Sequence, residues 1–245
     1  MKIIAIIQSR MGSTRLPGKS LAEINGKPML QHVVERARKS KLVNEVIVAT
    51  TDQPEDNAIE ELGRKLGVTV FRGSENDVLD RYYQAAKNAG AEVIVRITAD
   101  CPLIDAAVSD RVVELFLNEK VDYASNTQPP TFPDGLDTEV FTFAALEKAW
   151  NEAELTSERE HVTPYIWKNP DKFRLKNYAN GEDLSAMRWT VDSPADLQFV
   201  KGLFSFGNPD SMEAVLEIIK EHPELQKISE GIERNEGYAK SVKED

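Results

Sequence analysis

The fold of this chain is indicated most clearly by the segment Ile3-Ile4-Ala5-Ile6-Ile7-Gln8-Ser9-Arg10-Met11-Gly12-Ser13-Thr14-Arg15-Leu16-Pro17-Gly18-Lys19. It begins with a continuous apolar run, which is typical of a β-strand that is buried on both faces of a sheet. The remainder is polar and combines glycines with three basic side chains, which is typical of a loop. The segment therefore predicts a central strand that ends in a basic, glycine-containing loop.

Apolar runs alternate with helical patterns through the first half of the chain. The runs predict strands at residues 3–7, 46–49, 68–71 and 93–97. Apolar residues at helical spacing predict helices at residues 29–37, 59–66, 78–86 and 108–116. This order is typical of βαβ units, so we expect an α/β fold with three αβα layers around a mostly parallel, mixed sheet.

The second half of the chain is less regular. Its patterns predict strands at residues 121–125, 138–141, 173–178 and 188–191, and helices at residues 143–154, 161–168, 194–206 and 212–222. The prolines and glycine of residues 126–136 predict a loop. The polar tail from Gln226 is expected to pack as a surface arm. No repeat or linker divides the chain, so we expect one domain.

The composition excludes several classes of protein. The 245 residues include 30 basic and 41 acidic side chains, a net charge of −11, which argues against a general nucleic-acid binder because such proteins need basic surfaces. The single cysteine, Cys101, excludes an intramolecular disulfide and a multi-cysteine zinc site. No apolar run approaches the roughly 20 residues of a membrane helix, so we expect no membrane partner and a cytoplasmic location.

The basic loop has the chemistry of a triphosphate site. Glycines let backbone N–H groups approach phosphate oxygens, and arginine and lysine neutralise their charge. A Walker A loop does not fit, because five residues rather than four separate Gly12 from Gly18-Lys19-Ser20. A basic surface turn is the alternative interpretation.

Two aspartates follow predicted strands and are candidate ligands of a divalent cation. Asp100 comes directly after the strand at residues 93–97, at the sheet edge where ligands of parallel sheets bind. Carboxylate oxygens suit Mg²⁺, which typically takes one or two of them together with phosphates and water. Asp192 precedes Ser193-Pro194, so capping of the next helix is its alternative role.

Several motifs together resemble the sugar-acid cytidylyltransferases, in particular the spore-coat polysaccharide branch related to the acylneuraminate and 3-deoxy-manno-octulosonate enzymes. The motifs are Arg10-x-Gly12-Ser13-x-Arg15-Leu16-Pro17-Gly18-Lys19, Gly73-x-x-x-Asp77-Val78-Leu79-Asp80-Arg81-Tyr82, Thr98-Ala99-Asp100-Cys101-Pro102-Leu103, Asp134-Gly135-Leu136-Asp137-Thr138-Glu139, Arg159-Glu160-His161-Val162-Thr163 and Arg188-Trp189-Thr190-Val191-Asp192. The resemblance implies a nucleotide-diphospho-sugar transferase-like fold. It divides the domain of residues 1–245 into a nucleotide-binding half (1–120), a sugar-binding half (121–210) and a C-terminal helical tail (211–245).

The resemblance implies an Mg²⁺-dependent enzyme that transfers CMP from CTP to a keto sugar acid and releases pyrophosphate, for surface or spore-coat polysaccharide synthesis. Catalytic roles are expected for Lys19, Arg10 and Asp100, nucleotide contacts for Gln8, Arg10, Gly12, Ser13, Arg15, Lys19 and Arg81, and metal ligation for Asp100 and Asp192. For Arg81, pairing with Asp77 one helical turn away is the alternative.

The sugar is expected to contact the second half of the chain, through Asp137, Glu139, Arg159, His161 and Arg188. Carboxylates such as Glu139 would face sugar hydroxyls, and Arg159 or Arg188, with His161, would face the sugar carboxylate. Two other functions stay open: a transferase for another nucleoside triphosphate with a sugar or sugar phosphate, and a nucleotide-binding protein without turnover. The expected partners are CTP and a sugar acid, and a homodimer stays open.

Overall fold

The computed structural model describes residues 1–229, 234 and 236–245. The strands are β1 (Ile3–Gln8), β2 (Glu23–Ile24), β3 (Lys27–Pro28), β4 (Glu45–Thr51), β5 (Thr69–Gly73), β6 (Val93–Thr98), β7 (Tyr123–Ser125), β8 (Glu139–Thr142) and β9 (Leu175–Asn177). The α-helices are α1 (Met29–Ala37), α2 (Asn57–Leu66), α3 (Val78–Ala89), α4 (Ala106–Glu119), α5 (Phe143–Glu152), α6 (Thr156–His161), α7 (Pro164–Trp167), α8 (Pro194–Phe206), α9 (Met212–Glu221) and α10 (Glu236–Ser241).

One seven-stranded sheet organises the chain, in the order β5-β4-β1-β6-β8-β7-β9, and β2 and β3 form a separate hairpin. The strands β5, β4, β1 and β6 are parallel. The strand β8 is antiparallel to both of its neighbours, β6 and β7, and β9 is parallel to β7. The expected mostly parallel, mixed sheet is confirmed.

The alternation of side chains along β1 places a core on each face of the sheet. Ala5 and Ile7 pack in one buried cluster, which contains apolar residues of α1, α2 and α4. Ile4 and Ile6 point to the opposite face and pack in a cluster with residues of α3 and α5. These two cores account for the helix layers above and below the sheet. A third cluster joins the β2–β3 hairpin to α8 and α9 around Trp189.

Two predicted elements of the second half are wrong. The segment 188–191 forms no strand, and its bridge joins Arg188 to Asp134 outside the sheet. The predicted helix at residues 161–168 is interrupted near its start: α6 ends at His161, Val162 adopts a positive φ of 74°, and α7 begins only at Pro164. Neither break follows from apolar spacing, which extends smoothly across both segments.

The sheet register places two loops side by side. Gln8, the last residue of β1, is in register with Thr98, the last residue of β6. The backbone N–H of Ala99 donates to the carbonyl oxygen of Gln8 at 3.0 Å, which continues the contact past the strand ends. The basic loop and the segment that contains Asp100 therefore begin at adjacent points on the same edge of the sheet.

Gly135 allows a close backbone approach at this edge. Its φ is +114°, and a Cβ atom there would lie 2.7 Å from both the backbone nitrogen of Thr190 and the carbonyl carbon of Trp189. The backbone nitrogen of Trp189 donates to the carbonyl oxygen of Asp134 at 2.6 Å. Only glycine meets both the conformational and the steric requirement of this crossing.

We expect Gly135→Ala to lower the free energy of unfolding by about 2 kcal/mol or more, because the methyl group clashes with immovable backbone and the backbone is strained. Gly181→Ala is the matched control, since nothing lies within 4 Å of the position of its Cβ atom. Urea denaturation monitored by circular dichroism measures both variants. Equal stability of the two variants would contradict the close approach at Gly135.

Candidate active site

A cleft opens where β1 and β6 end. It consists of two adjoining cavities of 500 and 390 Å³. Both cavities are lined by Gln8, Arg15, Asp100, His161 and Asp192. The cleft thus lies at the carboxyl ends of parallel strands, the usual ligand position in this class of sheet.

Hydroxyl groups and one buried carboxylate hold the basic loop that follows β1. The Oγ of Ser9 donates to the Oγ of Ser20 at 2.9 Å, and Ser20 in turn donates to the carbonyl oxygen of Arg10 at 3.1 Å. The backbone N–H of Met11 donates to Oδ1 of Asp56 at 2.8 Å, and that carboxylate is almost completely buried. The loop is therefore fixed to the sheet rather than free in solvent.

Gly18 turns this loop so that Lys19 points into the cleft. Its φ of 72° lies in the left-handed region, directly before the short 3₁₀ helix Lys19–Leu21. The ammonium of Lys19 donates to Oδ2 of Asp100 at 2.8 Å and to Oδ1 of Asp192 at 2.8 Å. It also donates to the carbonyl oxygen of Val191 at 3.0 Å. The two candidate metal ligands, 92 positions apart in the sequence, thus contact the same nitrogen atom.

The charges of this cluster stabilise one another. Burial alone would lower the pKa of Lys19, but the charges of Asp100 and Asp192 outweigh it and raise that pKa. Burial raises the pKa of Asp100, and the charge and hydrogen bond of Lys19 more than offset this and lower it. Lys19 and Asp100 are therefore both ionised at neutral pH, and ligation of a cation requires the ionised form of a carboxylate.

Arg188 holds Asp192 from the other side. Its guanidinium lies 2.9 Å from Asp134, 3.1 Å from Asp192 and 3.0 Å from Asp196, in each case from a carboxylate oxygen. Asp196 also accepts hydrogen bonds from the backbone N–H groups of Asp192 and Ser193, and it completes the capping box of α8, whose N-cap is Ser193. The side chain of Arg188 is 7% exposed, and each of its three nitrogens contacts a carboxylate, one of them that of Asp192.

Most residues expected to bind the nucleotide line the larger cavity. These are Gln8, Arg10, Ser13, Arg15, Lys19 and Arg81. Gly12 lies in the same loop and does not line the cavity. Arg81 is buried and donates to the carbonyl oxygen of Ser74 at 2.9 Å, whereas the carboxylate of Asp77 pairs with Arg159. The alternative ion pair between Arg81 and Asp77 is therefore not formed.

Arg159 is the expected sugar-binding residue that lies away from the cleft. Its guanidinium contacts the carboxylate of Asp77 and donates to the carbonyl oxygen of Trp150 at 2.7 Å. It lines neither cavity. Arg159 lies between α3, α5 and α6, so its positive charge contributes to the packing of these helices. The motif had suggested that this charge binds the substrate.

The other four expected sugar-binding residues line the smaller cavity: Asp137, Glu139, His161 and Arg188. Glu139 accepts from Tyr123 at 2.7 Å, from Thr163 at 2.5 Å and from Arg96, so both of its oxygens are engaged. Burial, followed by the charge of Arg96, lowers the pKa of His161 to about 4, and its imidazole is therefore neutral at pH 7. Asp137 is the most exposed of these carboxylates, at 30% compared with 8% for Glu139.

Unpartnered polar atoms are concentrated in this cleft. Within the described part of the chain, the buried side-chain polar atoms without a hydrogen-bond partner are Oε1 of Gln8, Nε of Arg81, Nε of Arg96 and the hydroxyl of Tyr238. All four residues line one or both cavities. Because buried polar groups are nearly always satisfied in folded proteins, these atoms mark a surface that fits a polar ligand.

Sequence reasoning missed several residues of the site. Arg96 had a detectable signal, since a charged residue in the apolar run of β6 needs a buried partner, and it is in register with Glu139. Asp134 belongs to one of the motifs, but the motif assigned no role to it, and its carboxylate contacts Arg188. Tyr238 and Arg234 lie in the polar tail, where no pattern indicated a contact with the cleft.

The donor set at Asp100 and Asp192 fits a hard divalent cation. Two carboxylate oxygens share one cationic neighbour, and both aspartates line the larger cavity, where phosphate oxygens and water could complete a coordination shell. Among the described residues no cluster of three or more histidine, cysteine, aspartate or glutamate side chains forms an all-protein metal cage. Over the same residues, no helix has the length and apolar character needed to cross a membrane.

Comparison with known proteins finds similarity along most of the chain. The profile of the family described as Cytidylyltransferase matches residues 4–226. The spore coat polysaccharide biosynthesis protein SpsF of Bacillus subtilis is 32% identical over 214 residues, which cover 82% of this chain and 86% of that protein. The 3-deoxy-manno-octulosonate cytidylyltransferase of Trichlorobacter lovleyi is 41% identical over 118 residues, or 48% of this chain and 46% of that protein. A solved cytidylyltransferase structure from Leptospira borgpetersenii has a TM-score of 0.90 and 39% identity, covering 96% of this chain and 100% of that chain.

We expect Lys19→Ala to lower the free energy of unfolding by about 2 kcal/mol at pH 7, because it leaves two carboxylates without their shared cation. The loss should shrink as the pH falls from about 4 through 2. In the wild type the lowered pKa of Asp100, about 2, contributes stability that is fully present above the ordinary pKa of 3.8 and is lost as the pH falls through the folded value. In the variant Asp100 has lost this partner, so no such contribution is left to lose.

Urea denaturation at several pH values measures this difference. Lys65→Ala, which removes an exposed lysine of α2, is the matched control and should cost little at any pH. A stability loss for Lys19→Ala that does not change with pH would contradict the ionised cluster.

Proposed function

The chain belongs to the cytidylyltransferase family and is a nucleotidyltransferase, and on that basis we propose that it transfers CMP from CTP to a keto sugar acid and releases pyrophosphate. We further propose surface or spore-coat polysaccharide synthesis as its setting, in line with the name of the Bacillus subtilis relative. The observation that carries the proposal is the contact of Lys19 with both Asp100 and Asp192 beneath the basic loop.

The larger cavity suits the triphosphate. Arg10 and Arg15 are exposed basic residues at its wall, while Lys19 is held deep in it. In the proposed arrangement, Arg10 and Arg15 contact the β- and γ-phosphates with the backbone of Ser13, and Lys19 neutralises the α-phosphate. Gln8, whose amide oxygen has no partner among the described residues, is available to the base or the ribose.

Asp100 and Asp192 would hold Mg²⁺ with oxygens of the triphosphate and water. When bound, the ion supplies positive charge that stabilises the phosphate oxygens during transfer. The anomeric hydroxyl of the sugar attacks the α-phosphorus and gives up its proton to solvent, and the bond between the α-phosphorus and pyrophosphate breaks. Arg188 keeps Asp192 oriented through this step, since it contacts that carboxylate at 3.1 Å.

The smaller cavity suits the sugar. The partly exposed carboxylate of Asp137 can accept hydrogen bonds from sugar hydroxyls, whereas the engaged Glu139 fixes the wall behind it. Of the arginines that line this cavity, Arg15 has the most exposed side chain, at 42%, compared with 14% for Arg96. It also lines the larger cavity, so its guanidinium lies between the proposed phosphate contacts and the sugar.

We expect the purified protein to release pyrophosphate from CTP when Mg²⁺ and a keto sugar acid are present. A coupled pyrophosphate assay with 3-deoxy-manno-octulosonate, an acylneuraminate and glucose 1-phosphate tests the acceptor class. In parallel, thermal shifts with CTP, UTP, GTP and ATP test the nucleotide, because a ligand that binds only the folded state raises the melting temperature.

The outcomes separate the alternatives. Release with a sugar acid and CTP supports the proposal. Release of pyrophosphate with glucose 1-phosphate, or stabilisation by another nucleotide but not by CTP, would favour the alternative transferase. That enzyme uses another nucleoside triphosphate, or a sugar phosphate as acceptor. Stabilisation by CTP without release from any acceptor would favour a nucleotide-binding protein without turnover.

Asp192→Asn should lower kcat/KM by about 100-fold while the protein stays folded, because the amide keeps the shape of the side chain but ligates a cation weakly. Raised Mg²⁺ concentration should restore part of the rate. Asp171→Asn, an exposed aspartate outside both cavities, is the matched control. Wild-type kinetics of Asp192→Asn would return that residue to a purely structural role at the start of α8.

A further inference from the structure

We propose that α10 forms a wall of the acceptor site and that the Tyr238 hydroxyl hydrogen-bonds the sugar, which makes Tyr238 a specificity-determining residue. The inference rests on the proposed function and adds a residue to its acceptor site. It concerns a part of the chain that lies beyond residue 226, where the match to the family ends. Within the expected surface arm, residues of α10 line the cleft.

The placement of α10 supports this role. Glu236, Gly237 and Tyr238 line the smaller cavity, together with Asp137 and His161. The same helix continues along the larger cavity. A sugar bound next to the triphosphate therefore has α10 on one side and the strand ends of the sheet on the other.

Contacts at both ends hold this segment in place. Arg234 donates to the carbonyl oxygen of Phe132 at 3.1 Å and contacts the carboxylate of Asp137. Beyond α10, the carboxylate of Asp245 accepts from the backbone N–H of Ser157 at 2.8 Å and from its hydroxyl at 2.6 Å. The segment therefore reaches from the loop of the sugar-binding half to the start of α6.

The middle of the segment is held by a hydroxyl group on α10. Ser241 donates to the carboxylate of Glu160 at 2.6 Å and lies 3.0 Å from Nε2 of His161. Burial keeps His161 neutral at pH 7, so this contact does not depend on a histidine charge. The inner face of α10 is thereby fixed against the end of α6.

The aromatic ring of Tyr238 is fixed while its hydroxyl is left without a partner. The ring packs edge-on against His161, with centroids 5.2 Å apart, and against Trp167 at 5.8 Å. The ammonium of Lys168 lies 5.4 Å from the ring centroid. Within the described residues no group hydrogen-bonds the buried hydroxyl. A buried tyrosine hydroxyl normally has a partner, and a sugar hydroxyl in the adjoining cavity would supply one.

The chemistry of the neighbouring groups favours a polyhydroxylated ligand. A phenol hydroxyl both donates and accepts, so it can pair with a sugar hydroxyl in either direction. The ionised carboxylate of Asp137, on the same cavity, can only accept hydrogen bonds. A donor on α10 and an acceptor on the opposite loop would together fix the orientation of the sugar ring.

Tyr238→Phe tests the hydroxyl alone, because phenylalanine preserves the ring that contacts His161 and Trp167. The substrate is whichever sugar acid of the panel the wild type turns over fastest, with CTP and Mg²⁺. We expect the KM for the sugar to rise roughly tenfold, the effect of about one buried hydrogen bond, with the KM for CTP unchanged. Tyr165→Phe is the matched control, since that hydroxyl contacts Glu152 and lines neither cavity.

An unchanged KM for the sugar, or equal rises in both KM values, would overturn the assignment of Tyr238. If the wild type turns over no sugar acid, the proposed function fails by itself, and a second measurement then decides the inference. Hydrogen exchange of the CTP-bound chain is followed with and without glucose 1-phosphate and each sugar acid. Protection of residues 236–241 that Tyr238→Phe weakens supports the wall, and no protection with any of these compounds overturns it.

Discussion

The site depends on the ion pairs that the Lys19 ammonium forms with Asp100 and Asp192. The ammonium connects the loop after β1 with Asp100 after β6 and with Asp192 before α8. These three segments are far apart in the sequence. A lysine buried between two carboxylates is stable only when all the distances are short, since each charge loses its hydration. The same geometric demand that stabilises the cluster keeps the two aspartates close enough to act on one ligand.

Elements that depend on local patterns could be predicted from the sequence. The apolar runs of β1, β4, β5 and β6 and the spacing in α1 to α4 gave the parallel half of the sheet with only small shifts at the ends. The contact of Lys19 with both Asp100 and Asp192 could not be predicted, because it depends on how the second half folds back onto the first. The segment before Asp192 is extended yet pairs with the Asp134 loop rather than with a strand, and apolar alternation does not distinguish these two cases.

Residue type predicted function less well where the protein uses charge for its own packing. Arg159 had the chemistry to bind a carboxylate, but Asp77 of the chain itself takes that place. Arg188 is engaged by three aspartates, and Glu139 by two hydroxyls and an arginine. A charged residue in a motif therefore indicates a charged site, while the assignment of partner or substrate needs the tertiary structure.

The paired charges of the cleft also have a consequence for ligand binding. Arg15 contacts Asp192 at 3.1 Å and Glu236 at 2.7 Å, and its side chain is the most exposed of the arginines that line the smaller cavity. An incoming phosphate or carboxylate must compete with these side chains for the guanidinium, and screening by solvent makes that exchange cheap for an exposed pair. The same exchange is costly at Arg188, whose ion pairs are buried. The site thus combines the buried ion pairs of Arg188, which keep their partners, with the exposed Arg15, which can exchange them. Glu236 connects Arg15 to α10. An anion that binds Arg15 therefore competes directly with the contact between the basic loop and α10.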